Sequence, residues 1–245
     1  MNHPSREDRS IDISVVVPVY NEEENLPVLV PQIADVLKPL EKTFEMIFVD
    51  DGSKDQSRHL LKKMALEYPQ IRILGFKKNC GETAAGAAGI KEARGGIVIT
   101  IDADLQNDPK DIPKMLDYLK EYDMVTGWRQ KREDSWVKRI TSRIANRIRN
   151  RLSGEEIQDS GCTFRAYKRE CLQEIKLYKG MHRFIPTLVK MEGYRVIEIP
   201  IAHHPRKFGV SKYTTWNRMW RAFIDLLAVK WMKSRHIHYE IEERI

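Results

Sequence analysis

Ile97-Val98-Ile99-Thr100-Ile101-Asp102-Ala103-Asp104-Leu105-Gln106 is a β-branched apolar run that ends in two carboxylates and a carboxamide at alternate positions. Such a run reads as a buried strand. On an extended segment residues i, i+2 and i+4 share one face, so Asp102, Asp104 and Gln106 are expected to converge on one point. Oxygen-only ligands suit a hard divalent cation, Mg²⁺ or Mn²⁺, which keeps open positions for water or phosphate oxygens. The alternative is an exposed acidic turn after a strand, and the spacing alone does not choose between them.

Working upstream, Ile13–Val19 and Phe44–Val49 are further apolar runs, each ending in a polar cluster: Tyr20-Asn21-Glu22-Glu23-Glu24-Asn25 and Asp50-Asp51-Gly52-Ser53. Runs apolar on both faces belong to parallel sheets covered on both sides. Helical patterns follow each, over Leu26–Leu40 and Ser57–Glu67. A third strand, Ile71–Phe76, leads through Asn79-Cys80-Gly81 to a small-residue helix, Thr83–Ala93, and then to the acidic strand. This β-α-β-α-β-α-β order predicts an α/β fold, a mostly parallel central sheet flanked by helices. In such sheets ligands bind outside the carboxyl ends of the strands, where Tyr20, Asp51 and Asp104 all fall.

These motifs resemble a known family. Val17-Pro18-Val19-Tyr20-Asn21-Glu22, Val49-Asp50-Asp51-Gly52-Ser53 and Asp102-Ala103-Asp104-Leu105-Gln106 resemble, in order and spacing, the family 2 glycosyltransferases with the GT-A nucleotide-diphospho-sugar transferase fold. Downstream, Gly127-Trp128-Arg129, Trp136–Ser142, Asp159-Ser160-Gly161-Cys162-Thr163-Phe164-Arg165, Phe184-Ile185-Pro186 and Arg206–Tyr213 resemble the polyprenyl-phosphate branch, which includes the dolichol-phosphate mannose synthases. Arg129–Trp136 and Gly161-Cys162 resemble the bacterial undecaprenyl-phosphate formamido-arabinose transferases more than the mannose synthases, a local likeness that does not name the sugar. The resemblance covers residues 11–232. It divides the chain into a disordered N-terminus (1–10), a catalytic domain (11–215) and a C-terminal amphipathic, membrane-proximal helix and tail (216–245).

Composition is compatible with this. A chain of 245 residues with 42% hydrophobic content can bury one sizeable α/β core. Its three cysteines, Cys80, Cys162 and Cys171, lack metal-ligand spacing and read as free thiols of a reducing compartment. No signal peptide is evident, and no apolar run of 18 residues that could span a membrane.

The charge is concentrated. Trp128–Ser153 holds nine Lys/Arg against Glu133 and Asp134, a balance of +7 that equals the net charge of the whole chain. Within it Trp136, Ile140, Ile144, Ile148 and Leu152 recur every four residues, as do Arg139, Arg143, Arg147 and Arg151, the pattern of a basic amphipathic helix. In Trp216–Arg235 a second apolar stripe, Trp216, Trp220, Phe223, Leu227 and Trp231, runs among basic residues. Each helix could pack on the core with a solvated basic face, or lie on an anionic bilayer where Trp finds both an apolar and a polar environment. A nucleic-acid partner is not expected, because no nucleic-acid-binding motif accompanies the charge. All five tryptophans follow residue 127, in or beside these segments.

The resemblance implies an inverting, metal-dependent transfer of a sugar from a UDP- or GDP-linked donor to a polyprenyl phosphate. In that reading Pro18, Tyr20 and Glu22 line the base and ribose and Asp51 hydrogen-bonds the base. Asp102, Asp104 and Gln106 hold the cation on the diphosphate, which Arg206 and Lys212 clamp. Arg129, Lys138, Arg139 and Ser142 hold the acceptor phosphate; the family's usual Arg four residues before the serine is Lys138 here. Asp159 matches a carboxylate near the reaction centre, where, with an acceptor already ionised, it orients the sugar or a phosphate-binding Arg rather than taking a proton. As residues alone, Arg206 and Lys212 also fit an ordinary basic loop, and Asp159 a helix cap or a partner for Arg165. The implied setting is the cytoplasmic face of a membrane, with the protein peripheral there, and an integral-membrane partner is admitted. Relatives continue into transmembrane helices beyond this point. Two other readings are a soluble family 2 enzyme with a saccharide or other hydroxyl acceptor, for which Asp159 is the base, and a non-catalytic lipid- or partner-binding module.

Overall fold

The computed structural model describes residues 11–129, 157–205, 215–237 and 243, with backbone alone for 215–222. The expected disordered N-terminus, the basic helix around Trp136–Leu152, and Lys138, Arg139, Ser142, Arg206 and Lys212 lie outside the described residues.

Among the described residues, seven strands form one sheet: β1 (Ile13–Val19), β2 (Phe44–Asp50), β3 (Ile71–Gly75), β4 (Ile97–Thr100), β5 (Met124–Arg129), β6 (Arg165–Lys168) and β7 (Val196–Ile201), in the order β3-β2-β1-β4-β6-β5-β7. Strands β1 to β4 are mutually parallel and β5 is parallel to β7, while β6 runs antiparallel to both β4 and β5. The reversed β6 is what carries Asp159 and Thr163, which precede it, to the same edge of the sheet as Asp102.

Helices α1 (Leu26–Leu37), α2 (Ser57–Glu67), α3 (Glu82–Glu92), α4 (Ile112–Tyr118), α5 (Ile185–Met191) and α6 (Thr215–Arg235) flank the sheet. The first helix is shorter than the sequence predicts. Pro39 has no N–H to continue the helical ladder, Lys38–Leu40 tightens into a 3₁₀ turn, and Glu41 takes a left-handed conformation with φ of 52°. Two cores lie on opposite faces of the sheet. One joins Val15, Val17 and Phe48 to Leu29 and Ile33 of α1; the other joins Val16, Ile47 and Val49 to Ala85 of α3 and Ile185 and Val189 of α5. Strand β1 is buried on both faces, as its continuous apolar run predicts, and each such side chain contributes about 1.5–3 kcal/mol.

Helix α6 docks through Leu226 and Val229 onto Met181 and Phe184. Its predicted apolar stripe lies elsewhere: Phe223, Leu227 and Trp231 are 42%, 46% and 64% exposed. The described part of that stripe is therefore largely exposed rather than buried in the contact with Met181 and Phe184. Among the described residues no helix is long and apolar enough to cross a membrane.

Candidate active site

The loops after β1 and β2 are fastened to one another. Asn21, itself left-handed with φ of 55°, donates its N–H to Ser53 Oγ and accepts from the Lys54 N–H through Oδ1. The Glu22 N–H donates to Ser57 Oγ, and Glu23 exchanges hydrogen bonds with Asp55 and Gln56. Beyond them lies an open cleft of about 760 Å³ at the carboxyl ends of β1, β2 and β3, lined by Tyr20, Ser53, Lys54, Arg58, Lys77 and Asn79 among others. With Lys62 and Lys78 also on its wall, the cleft is basic, a feature the sequence reading did not assign. Its signal was the Lys77-Lys78-Asn79 segment just past a strand end. The fully buried Asp50 carboxylate holds Arg58 and the Ser53 N–H, and Arg58 Nη2 donates to the Phe76 carbonyl at 2.6 Å.

Two of the predicted donor residues depart from a simple base pocket. Glu22 lies outside this cleft, in a neighbouring pocket with Asn21 and Asn25, and accepts from Asn25 Nδ2 at 2.6 Å. The Asp51 carboxylate accepts the N–H groups of Cys80 and Gly81 at 2.6 and 2.8 Å, so it first shapes the loop before α3. Gly52 is required beside it. Its φ is +71°, and a Cβ there would stand 2.7 Å from the Lys78 backbone.

The acidic segment is a turn rather than the extension of a strand. Pairing of β4 ends at Thr100, Ile101 still donates its N–H to Val16, and Leu105 adopts a left-handed φ of 60°. The predicted alternation survives without the strand. Ile101, Ala103, Leu105 and Asn107 are buried, while Asp102, Asp104 and Gln106 reach the surface. Thr163 Oγ1 donates to Asp102 Oδ2, and the Gln106 N–H donates to Asp104 Oδ1 at 3.2 Å. The Gln106 carboxamide donates to the His204 carbonyl at 3.5 Å, and the His204 N–H returns to the Gln106 carbonyl at 2.8 Å. The segment that precedes Arg206 is thus pinned onto this turn.

Burial raises the Asp102 carboxyl to about 7, reinforced by the nearby Glu82 and Asp104 carboxylates and opposed by Thr163 and Arg129. Two oxygen donors held together against their own repulsion are the chemistry a divalent cation relieves. Among the described residues no group of three or more His, Cys, Asp or Glu side chains could hold a metal. Two carboxylates beside a carboxamide are the oxygen chemistry that a magnesium-like ion takes, its shell completed by water and phosphate oxygens.

Of the roles its motif implies, Asp159 takes that of holding an arginine. It is not a partner for Arg165: its carboxylate chelates Arg129, with Nε to Oδ2 at 2.6 Å and Nη2 to Oδ1 at 2.9 Å. The pair is buried, and the Arg129 N–H adds a third contact to Oδ2 at 3.3 Å. Asp159 raises the Arg129 guanidinium further, against the burial that opposes its charge. Glu198 on β7 fixes the loop by accepting the N–H groups of Gln158 and Asp159 at 2.8 and 2.7 Å. Arg165 instead lies fully buried on β6, donating to the carbonyls of His182 and Ser160. The three cysteines are free; burial pushes Cys162 to about 11 and Cys171 to about 12, so neither is poised as a thiolate.

Residues 14–176 match the sequence model of the family described as glycosyl transferase family 2. A dodecaprenyl-phosphate galacturonate synthase of Rhizobium johnstonii is 39% identical over 240 residues, spanning 94% of this chain and 71% of that protein. Among solved structures, glucosyl-3-phosphoglycerate synthase of Mycobacterium tuberculosis, in complex with Mn²⁺, UDP and glucosyl-3-phosphoglycerate, superposes with a TM-score of 0.65 at 20% identity, covering 90% of this chain and 80% of that one. A mannosyltransferase of Pyrobaculum calidifontis with GDP-Man and Mn²⁺ gives 0.59 at 19% identity, covering 95% and 68%. At such identities the likeness is one of fold.

Proposed function

This chain belongs to glycosyl transferase family 2, and on that premise we propose that it transfers a sugar, with inversion, from a nucleotide diphosphate-sugar to a polyprenyl phosphate at a membrane surface. The single observation that carries the acceptor assignment is the Arg129–Asp159 chelate. A hydroxyl acceptor needs a base to deprotonate it, and Asp159 is the candidate for that task. Both of its oxygens already accept hydrogen bonds from Arg129, which suits it to hold a guanidinium rather than to take a proton. A phosphate monoester, with a second pKa of about 6, is largely a dianion at neutral pH and needs only cations to seat it. Arg129 serves that purpose: its planar fork is fixed by Asp159 and lies within electrostatic reach of Asp102. The dodecaprenyl-phosphate specificity in the name of the 39% identical relative supports the same class of acceptor.

The donor lies along the carboxyl edge of β1 to β4. Tyr20 and the basic cleft receive the nucleoside, with Asp51 ordering the Cys80-Gly81 backbone beside it. Asp102, Asp104 and Gln106 hold Mg²⁺ or Mn²⁺ against the diphosphate, and Arg206 and Lys212 add cationic clamps. The ion, when bound, neutralises charge that develops on the departing nucleoside diphosphate. Arg129, Lys138, Arg139 and Ser142 seat the acceptor phosphate, whose oxygen attacks the anomeric carbon from the face opposite the leaving group. The exposed Phe223, Leu227 and Trp231 row of α6, with Lys230, Lys233 and Arg235 near it, rests on the cytoplasmic face of an anionic bilayer and brings the site to its lipid.

The test is a phase-partition assay. Protein, Mn²⁺, a short polyprenyl phosphate and radiolabelled UDP- and GDP-sugars are incubated and extracted into organic solvent. Metal-dependent label in the organic phase is expected. Label that stays aqueous while saccharide acceptors are glycosylated would overturn the lipid-phosphate reading.

A further inference from the structure

The sheet order sets out the site in sequence. The nucleoside cleft lies over β3, β2 and β1, the acidic turn over β4, and Arg129 at the end of β5. A sugar travelling from the diphosphate to the acceptor phosphate must lie between the last two, over β4 and β6. Among the described residues, two ionisable side chains beside this interval that have no role above are Glu82, the first residue of α3, and His182, on the 3₁₀ turn Met181–Phe184.

They form one unit. Thr83 Oγ1 accepts the Gly180 N–H at 3.1 Å and lies within hydrogen-bond reach of His182 Nδ1 at 2.7 Å. The other ring nitrogen, His182 Nε2, stands 3.5 Å from Glu82 Oε1. The Glu82 carboxylate remains about one-third exposed at the rim and acts on Asp102 more strongly than Asp104 does.

Below the rim, Glu82, Asp102, Arg165, Tyr167 and His182 share a small cavity of about 40 Å³. Two of its lining groups are fully buried and incompletely paired: Arg165 Nε and the Tyr167 hydroxyl make no hydrogen bond. Thr100 and Arg165 lie beside that hydroxyl but short of bonding geometry. Buried unpaired donors are costly, and the cavity has room for one water-sized polar group.

We infer that the Glu82 carboxylate, oriented by His182, binds hydroxyl groups of the transferred sugar and determines which sugar the enzyme accepts. A carboxylate can accept from two neighbouring ring hydroxyls at once, a pattern that distinguishes epimers. A third sugar hydroxyl, or the water that stands in for it, enters the cavity and pairs with Arg165 Nε. Glu82 is the contact residue and His182 a positioning residue. Omitting the hydroxyl or inverting it leaves buried polar groups unpaired, which is how a hydrogen-bonding site discriminates strongly.

This inference rests on the nucleotide-sugar reading of the donor but not on the lipid acceptor, and its test is a binding measurement. Affinities for UDP, UDP-glucose, UDP-galactose and UDP-galacturonate, and for GDP and GDP-mannose, are measured by calorimetry with Mn²⁺. The ratio of nucleotide Kd to nucleotide-sugar Kd isolates the sugar's share. Glu82→Gln is expected to cut that ratio at least tenfold for the preferred sugar and to change the order among epimers. His182→Leu should do the same, while His182→Gln, which keeps a donor toward Glu82, should restore most of the ratio. A loss equal for nucleotide and nucleotide-sugar would overturn the inference and assign Glu82 to the diphosphate; so would unchanged ratios. A wild-type protein that binds UDP-sugars yet labels no polyprenyl phosphate would overturn the acceptor reading and leave these ratios to judge the sugar subsite.

Discussion

At the scale of single residues, Asp159 is the position whose open role the structure narrows most. From its motif it could orient the sugar or a phosphate-binding Arg, cap a helix, pair with Arg165 or act as a base; in the fold it chelates Arg129 across 30 residues of chain. Removing one member of a buried ion pair leaves the other uncompensated, at about 3–5 kcal/mol. Asp159→Asn should therefore lower the melting temperature and raise the KM for polyprenyl phosphate by at least tenfold. A base role predicts instead a fall in kcat with KM and melting temperature unmoved. Asp102 offers a second prediction. Its folded value of about 7 stands above the ordinary 3.8, so the metal-free native state binds more protons than the unfolded chain between those values. The contribution of Asp102 to metal-free stability is then present below about pH 4 and is lost as pH rises through 7. Cation binding runs the other way, because it needs the carboxylate, and its affinity should weaken by about tenfold per pH unit below 7. Thermal shift with Mn²⁺ should be larger at pH 8 than at pH 6, and equal shifts would exclude the assignment.

At the scale of elements, the helical period is legible in the chain but the face it buries is not. The stripe Phe223, Leu227 and Trp231 has the spacing of a packed helix, yet α6 docks by Leu226 and Val229 and leaves the stripe outside. An exposed apolar row beside Lys230, Lys233 and Arg235 suits a bilayer interface. A lysine near an anionic membrane contributes about 1 kcal/mol. The double variant Lys230→Gln/Lys233→Gln should thus weaken sedimentation with phosphatidylserine vesicles about thirtyfold while circular dichroism stays the same. Unchanged vesicle binding would leave α6 without that role. The acidic turn makes the same point on a shorter segment. Alternation of buried and surfaced residues was readable, but the left-handed Leu105 that turns Asp102 and Asp104 out of the sheet was not.

At the scale of the whole molecule, the two cores lie on the faces of the sheet and the site on its carboxyl edge, so the fold does not depend on what the edge binds. Chelation of divalent ions should abolish transfer and leave far-UV circular dichroism unaltered; a cooperative loss of structure on chelation would contradict that separation. By itself the sequence determined the strands β1 to β4, the helices between them, and the strand ends where Tyr20, Asp51 and Asp104 stand. These follow from local patterns, runs apolar on both faces and polar loops behind them, that a linear chain displays directly. Only the tertiary structure decided the antiparallel insertion of β6, the Arg129–Asp159 chelate, the pinning of His204 on Gln106 and the meeting of Glu82 with His182. Each of these joins residues from about 30 to 100 positions apart. Hydrophobic period says which residues turn inward, but a polar side chain's partner depends on where another strand ends, and that is settled only when the sheet has assembled.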